Sequence, residues 1–181
     1  GRVRRKQMSF EDLVWLFTSN KESRGIVRLN LAEGALLYKY CKLVRDGTLL
    51  EVGRKHGGST VLMANALRDG HLYSIDIVMH ECVNAYVSDY DYKITFLTDD
   101  SKKIEWDAPI DLVFIDGDHS YQGVKNDIKK FTPYVEKGGY AIFHDVVGKK
   151  GILQPLIDGL LKKGWIEAAR ADSLLVLKNE S

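Results

Sequence analysis

The sequence predicts an α/β fold, a doubly wound, mainly parallel sheet with a C-terminal antiparallel hairpin and N-terminal helices. Three observations carry this expectation. Five short apolar or β-branched runs bounded by Gly and Asp recur along the chain. Stretches of helical spacing lie between them, and 181 residues that are 45% hydrophobic suffice for one sizeable core. A single domain over 1–181 is expected, with a helical preface at 1–46 and an α/β core at 47–181.

The basic cluster "RVRRK" from Arg2 to Lys6 reads as a solvated tail. In "SFEDLVWLFTSN", Ser9 is a helix N-cap with Asp12 three residues on. In "NLAEGALLYKYCKLV", Asn30 and Glu33 have capping-box spacing, and Gly47 closes this second helix. Strands are expected at Thr48 to Gly53, His71 to Ile77, Tyr92 to Leu97, Ile110 to Asp116 and Gly139 to Asp145. Helices are expected from Ser59, from Val78, over a short "DSKKIEW" from Asp100, from Tyr121, and from about Ile152 to Lys163. Such alternation implies right-handed crossovers and a parallel sheet covered on both faces. In "GWIEAARADSLLVLKN" two strand-like runs are joined by Ala171, Asp172 and Ser173, too close for a crossover helix, hence the terminal hairpin.

Twenty-six basic residues against twenty-five acidic ones leave +1, which gives no reason to expect nucleic acid or an anionic membrane as a partner. No apolar run approaches the roughly 20 residues that span a bilayer, and no signal-peptide pattern opens the chain, so a soluble cytoplasmic protein is expected. Cys41 and Cys82 lack CxxC spacing and read as reduced packing cysteines. Trp15, Trp106 and Trp165 read as core or rim aromatics, Tyr121 as a packing residue, and His56 and His80 as exposed.

In an open parallel sheet, ligands bind outside the carboxyl ends of the strands. After the first strand, "EVGRKHGGST" places Glu51 and Gly53 before Gly57, Gly58 and Ser59, which open a helix. Glycines let backbone approach a ligand, and free N–H groups at a helix start favour a carboxylate or phosphate. A GxGxxG dinucleotide fingerprint would need its middle glycine where Lys55 stands. Asp76, ending the second strand, can accept both hydroxyls of a ribose, while Glu51 disfavours a pyrophosphate and suits a cationic ligand. A nucleoside, an amino-acid carboxylate and a sulfonium meet in S-adenosylmethionine. Past the third strand, Asp99, Asp100 and Ser101 are placed to bond adenine or to fix their own loop.

The runs "LLEVGRKHGGSTVLMANAL", "LYSIDI", "DLVFIDGDHSYQGVKNDI" and "GGYAIFHDV", from about Leu49 to Val146, resemble the class I, Rossmann-like S-adenosylmethionine-dependent methyltransferases. They are most similar to the small-molecule O-methyltransferase group with the "IDGDHSY" signature. The resemblance implies that Glu51, Gly53 and Ser59 contact the methionine part of the cofactor, with Gly57 and Gly58 in the same loop. It implies Asp76 on the ribose, Asp100 and Ser101 on the adenine side, and Asp116 at the cofactor.

Metal-dependent members of this group hold a divalent cation with an acid after the fourth strand and an acidic or acid-amide pair after the fifth. Here those positions are Asp116 and the pair His144-Asp145. His144 departs from the pattern, because histidine suits Mn²⁺, Fe²⁺ or Zn²⁺ better than Mg²⁺. Three readings stay open: Mg²⁺ on Asp116 and Asp145, a transition metal that includes His144, or no metal. His119 matches the position of the catalytic base, and an imidazole is free to take a proton near neutral pH. Against this stands a His119 that merely shapes its turn by bonding Asp116 or Asp118. Asp118 itself reads as the cap of the following helix.

The expected function is therefore S-adenosylmethionine-dependent O-methyl transfer to a hydroxylated small molecule, with a homodimer the preferred assembly. Two alternatives remain: a degenerate module that binds S-adenosylmethionine without methyl transfer, and a nucleotide-dependent oxidoreductase.

Overall fold

Neighbouring residues of a strand point to opposite faces, so apolar runs without polar alternation need a core on each side of the sheet. The computed structural model describes residues 9–17, 27–81, 83, 87–88, 91–146 and 151–181, and both cores are present in it. The basic stretch at 2–6, Cys82 and the Trp15 side chain lie outside the described residues.

Among the described residues the strands are β1 (Thr48–Val52), β2 (His71–Asp76), β3 (Ile94–Thr98), β4 (Ile110–Ile115), β5 (Val135–Phe143), β6 (Trp165–Ala171) and β7 (Leu174–Asn179). They form one sheet in the order β3-β2-β1-β4-β5-β7-β6. The first five strands pair in parallel, and β7 runs antiparallel to both β5 and β6. The expected doubly wound sheet with its C-terminal hairpin is the one observed.

Leu49, Leu112, Phe114 and Ile142 join one core, covered by Leu37 and Cys41 of α1 (Leu31–Leu43) and by Val61 and Leu62 of α2 (Gly58–Ala66). Leu50, Val113, Ile115 and Phe143 join the other, under Val124, Ile128 and Phe131 of α3 (Tyr121–Phe131) and Ile157 and Leu160 of α4 (Gln154–Leu161). The expected capping box opens α1: Glu33 N–H donates to Asn30 Oδ1 at 2.9 Å, and Asn30 N–H donates to Glu33 Oε2 at 3.0 Å. Before it, Ser9 and Asp12 bond reciprocally at the start of a 3₁₀ helix, Glu11–Phe17, that buries Leu13 and Leu16. From Val78, the described residues 81, 83 and 87 are helical.

Three expectations are corrected. The helix from Asp100 is a single turn at 101–103, in which Lys103 and Ile104 N–H both donate to the Asp100 carbonyl. It stops there because Trp106 turns inward onto Tyr73 and Phe131 and donates its indole N–H to the Ala108 carbonyl at 2.7 Å. The fifth strand begins at Val135, ahead of Gly139, after a 3₁₀ turn at Thr132–Tyr134. Tyr121 is exposed rather than packed, with the Lys125 ammonium over its ring.

After β3 the chain recrosses the sheet and lays β4 against the other side of β1, Val52 opposite Ile115. Gly53 and Asp116, the residues that follow these two strands, therefore meet. Gly53 has φ +93°, and a Cβ there would lie 2.4 Å from the Asp116 carbonyl oxygen, a backbone atom that cannot step aside. Gly53→Ala is expected to lower stability by about 3 kcal/mol, from the strained φ and the backbone overlap together. Urea denaturation with an unchanged m-value checks this.

Candidate active site

A cavity of about 500 Å³ opens along the carboxyl ends of β1 to β4. Its wall includes Gly53 and Lys55 after β1, Asp76 after β2, Asp99, Asp100 and Ser101 after β3, Asp116 to His119 after β4, and Asp127 of α3. Asp76 organises the loop after β1. Its Oδ2 accepts Arg54 N–H at 2.9 Å and Lys55 N–H at 2.7 Å, and its Oδ1 accepts Val78 N–H at 3.1 Å. Lys55, at the place of the missing glycine, has φ 47°, and its bond to Asp76 offsets that left-handed strain.

The loop after β3 fixes itself: Asp99 Oδ1 accepts Asp100 N–H at 2.7 Å, and Asp100 Oδ1 accepts Lys102 N–H at 2.9 Å. Ser101 Oγ donates to Asp127 Oδ1 at 2.6 Å. Burial pushes the Asp127 carboxyl above its usual range, against the effect of that bond. Asp127 was not singled out from the sequence, although an acid on the inner face of α3 between Val124 and Phe131 is a signal for it. Arg54 also escaped notice. It is buried, donates to the carbonyls of Ser74 and Val78 and to Thr98 Oγ1, and lies over the Phe96 ring, bracing the ends of β2 and β3.

Not every expected cofactor residue reaches this wall. Glu51 is 0% exposed and faces the core beneath α2, where it accepts hydroxyls from Ser59, from Thr60 at 2.6 Å and from Ser74 at 2.6 Å. Burial pushes its carboxyl upward, and the three hydroxyls oppose that shift. Gly57, at φ +84°, packs against Val83, and Gly58 and Ser59 are buried in the first turn of α2. In the structure these four residues shape the loop from behind instead of lining the cavity. His56 and His80, expected to be exposed, are half-buried and stack edge to face with centroids 4.7 Å apart.

A second, smaller cavity of about 230 Å³ shares Asp116, Gly117, Asp118 and His119 with the first. Its other walls are His144 and Asp145 after β5 and the apolar side chains of Ile115, Val124, Ile152 and Leu153. Parallel pairing of β4 with β5 brings Asp116, His144 and Asp145 together, with one potential ligand atom of each within 4.8 Å of the others. His144 Nδ1 lies 3.1 Å from Asp116 Oδ1 and 3.8 Å from Asp145 Oδ2. Ligand atoms around a divalent ion at about 2.1 Å stand roughly 3 Å apart in octahedral geometry, so these residues fit a cation. Asp145 is held at φ 60°, a strained conformation of the kind that clusters at functional sites.

Burial opposes a charged His144, but Asp116, Asp145 and Glu33 outweigh it and push its pKa up to about 9. Without a cation, His144 is thus an imidazolium whose Nε2 sits 3.2 Å from Glu33 Oε2. His119 Nδ1 is 3.2 Å from Asp145 Oδ2, a partner other than the Asp116 or Asp118 considered for a turn-shaping histidine. Asp118 does not cap α3 directly. Ser120 is the N-cap, accepting Gly123 N–H at 3.0 Å, and Asp118 holds Ser120 through its backbone N–H and its hydroxyl, which lowers the Asp118 pKa.

Residues 50–146 match a family model described as a methyltransferase domain. The chain also aligns with solved structures over nearly its full length. With the O-methyltransferase NovP the TM-score is 0.77 at 16% identity, covering 94% of each chain. With the O-methyltransferase TomG of Streptomyces achromogenes, involved in tomaymycin synthesis and solved with S-adenosylmethionine, it is 0.66 at 15% identity, covering 94% of this chain and 95% of that one. An rRNA methylase from Streptococcus thermophilus scores 0.65 at 14% identity, covering 81% and 95%. An uncharacterized protein of Acanthamoeba polyphaga mimivirus is 58% identical over 36 residues, which are 20% of this chain and 16% of that protein.

A parallel sheet whose order reverses at β1, with an antiparallel β7 set between β5 and β6, is the Rossmann-like fold of these methyltransferase structures. The chain belongs to the methyltransferase-domain family, and its fold is that of methyltransferases solved with S-adenosylmethionine. No helix among the described residues is long and apolar enough to cross a membrane.

Because Glu51 collects three buried hydroxyls, Glu51→Ala leaves all three without an acceptor. The expected loss is on the order of 3 kcal/mol of stability. A drop in the urea midpoint of the ligand-free protein measures it.

Proposed function

We propose that this protein transfers a methyl group from S-adenosylmethionine to a hydroxyl of a small molecule, with His119 as general base and a divalent cation beside Asp116, His144 and Asp145. One observation carries the reading: two cavities meet at a common wall, Asp116 to His119. The larger, walled by the residues that follow β1, β2 and β3, suits the cofactor; the smaller, which joins Ile152 and Leu153 to the Asp116, His144 and Asp145 cluster, suits the acceptor.

In this reading Gly53 admits the methionine part by close backbone approach, Asp76 receives the ribose hydroxyls, and Asp100 and Ser101 hold the adenine side. Glu51, Gly57, Gly58 and Ser59 act one layer back, fixing the loop and the start of α2. S-adenosylmethionine supplies an electrophilic methyl on a positively charged sulfur. The seven acids Asp76, Asp99, Asp100, Asp116, Asp118, Asp127 and Asp145 around the two cavities favour that charge and disfavour a pyrophosphate. The same negative wall disfavours a nucleic-acid backbone, so a small molecule is the better acceptor despite the similarity to an rRNA methylase.

His119 Nδ1 stands 3.2 Å from Asp145 Oδ2, and the tautomer with its hydrogen on that nitrogen keeps the Nε2 lone pair for the acceptor. That nitrogen takes the acceptor's hydroxyl proton as the oxygen becomes a nucleophile. A divalent cation would supply a lowered pKa for that hydroxyl. Ile152 and Leu153 give the acceptor side apolar surface, and the rest of the rate enhancement comes from alignment of the reactants.

Calorimetry is expected to show binding of S-adenosylmethionine and none of NAD; the reverse would overturn the reading. With radiolabelled methyl donor and a panel of phenols and sugars, His119→Ala is expected to lower methyl transfer by about 10²- to 10⁴-fold with cofactor affinity retained. Equal loss of affinity and transfer would make His119 structural.

A further inference from the structure

The Glu33 carboxylate is spent four times over. It lies on α1, 4% exposed, and closes the capping box by accepting Asn30 N–H on Oε2 at 3.0 Å. On Oε1 it accepts Ser173 N–H at 3.1 Å and the Ser173 hydroxyl at 2.7 Å, in the β6–β7 turn. Its fourth partner is His144 Nε2, at 3.2 Å from Oε2. Backbone and hydroxyl donors on both oxygens leave this carboxylate one orientation, and as an acceptor alone it demands a hydrogen on His144 Nε2. A neutral imidazole protonated there has its lone pair on Nδ1, which lies 3.1 Å from Asp116 Oδ1 and 3.8 Å from Asp145 Oδ2.

We infer that Glu33 is a positioning residue that fixes the His144 tautomer, with Nδ1 presented to the cation, and so makes this a site for cations that accept nitrogen, such as Mn²⁺, Co²⁺ or Zn²⁺, in preference to Mg²⁺. This rests on the proposed cation site between Asp116 and Asp145. A histidine ligand backed by a carboxylate is more basic and rigidly aimed, and its loss typically weakens metal binding about 10- to 100-fold. An imidazole ligand also shifts preference away from Mg²⁺, which takes oxygen donors.

The test is calorimetric titration of chelator-stripped protein with MnCl₂, ZnCl₂ and MgCl₂. The wild type is expected to bind Mn²⁺ and Zn²⁺ at least tenfold more tightly than Mg²⁺. Glu33→Gln keeps a capping-box residue at that position, so its helix should persist by circular dichroism, while Mn²⁺ affinity falls about tenfold. In the Zn²⁺-bound wild type, ¹⁵N shifts of the His144 ring should report the Nε2–H tautomer, and Glu33→Gln should blur it. His144→Asp should move the preference toward Mg²⁺. Unchanged Mn²⁺ affinity in folded Glu33→Gln protein, or equal affinity of the wild type for Mn²⁺ and Mg²⁺, would overturn this inference alone. A wild type that binds none of the three cations would overturn the cation site itself.

Discussion

Every element of the site depends on the reversal of strand order between β1 and β4. These strands are hydrogen-bonded neighbours, yet the chain leaves β1 toward β2 and leaves β4 toward β5, so their loops diverge and a crevice opens between them. The divergence requires close backbone contact at its root, where Gly53 meets the Asp116 carbonyl. A side chain at Gly53 would push the two strand ends apart. Asp116 would then no longer stand where the two cavities meet, beside His144 and Asp145.

The second constraint is charge. A chain with a net charge of only +1 sets seven of its twenty-five acids around the two cavities, against Lys55 and Lys102 there, so the overall balance conceals a local negative field. Each acid is tolerated for a different reason. Asp76 is met by three backbone N–H groups, Asp118 by the Ser120 N–H and hydroxyl, and Asp127 by Ser101. Such a field attracts a sulfonium and repels a diphosphate. This separates methyl transfer from dinucleotide chemistry on the same topology more firmly than the absence of a glycine at Lys55, whose backbone adopts the left-handed conformation anyway.

Much of this was legible in the sequence, and the unread part has a common cause. The apolar runs, the capping box at Asn30 and Glu33, and the clustering of Asp116 with His144 and Asp145 follow from local pattern and from parallel pairing of consecutive strands. What local pattern cannot carry is the second partner of a polar group. Glu33 reads as a cap residue from its three-residue spacing, whereas its bonds to His144 and Ser173 span 111 and 140 positions. Glu51 reads as a ligand contact because it stands beside a Gly-rich loop, but strand alternation turns it to the opposite face from Leu50 and Val52, toward Ser59, Thr60 and Ser74. The turn at Asp100 was read as a helix because the burial demand of Trp106, which ends it, comes from Tyr73 and Phe131 elsewhere in the chain.

The N-terminal helices could have been a mere cover for the sheet, and the Glu33 network argues otherwise. A carboxylate at position 144 would stand between Glu33 and Asp116, and three acids in a nearly dry space repel strongly unless a cation lies among them. A histidine at 144 and a buried acid on α1 thus complement each other: the imidazole faces Glu33, and Glu33 orients the imidazole. Because the same carboxylate also caps α1 and holds the β6–β7 turn through Ser173, the entry of the chain, its C-terminal hairpin and the candidate catalytic edge are tied at one group. Displacement of α1 would therefore reach the site through His144, which makes the helical preface a working part of the active-site architecture.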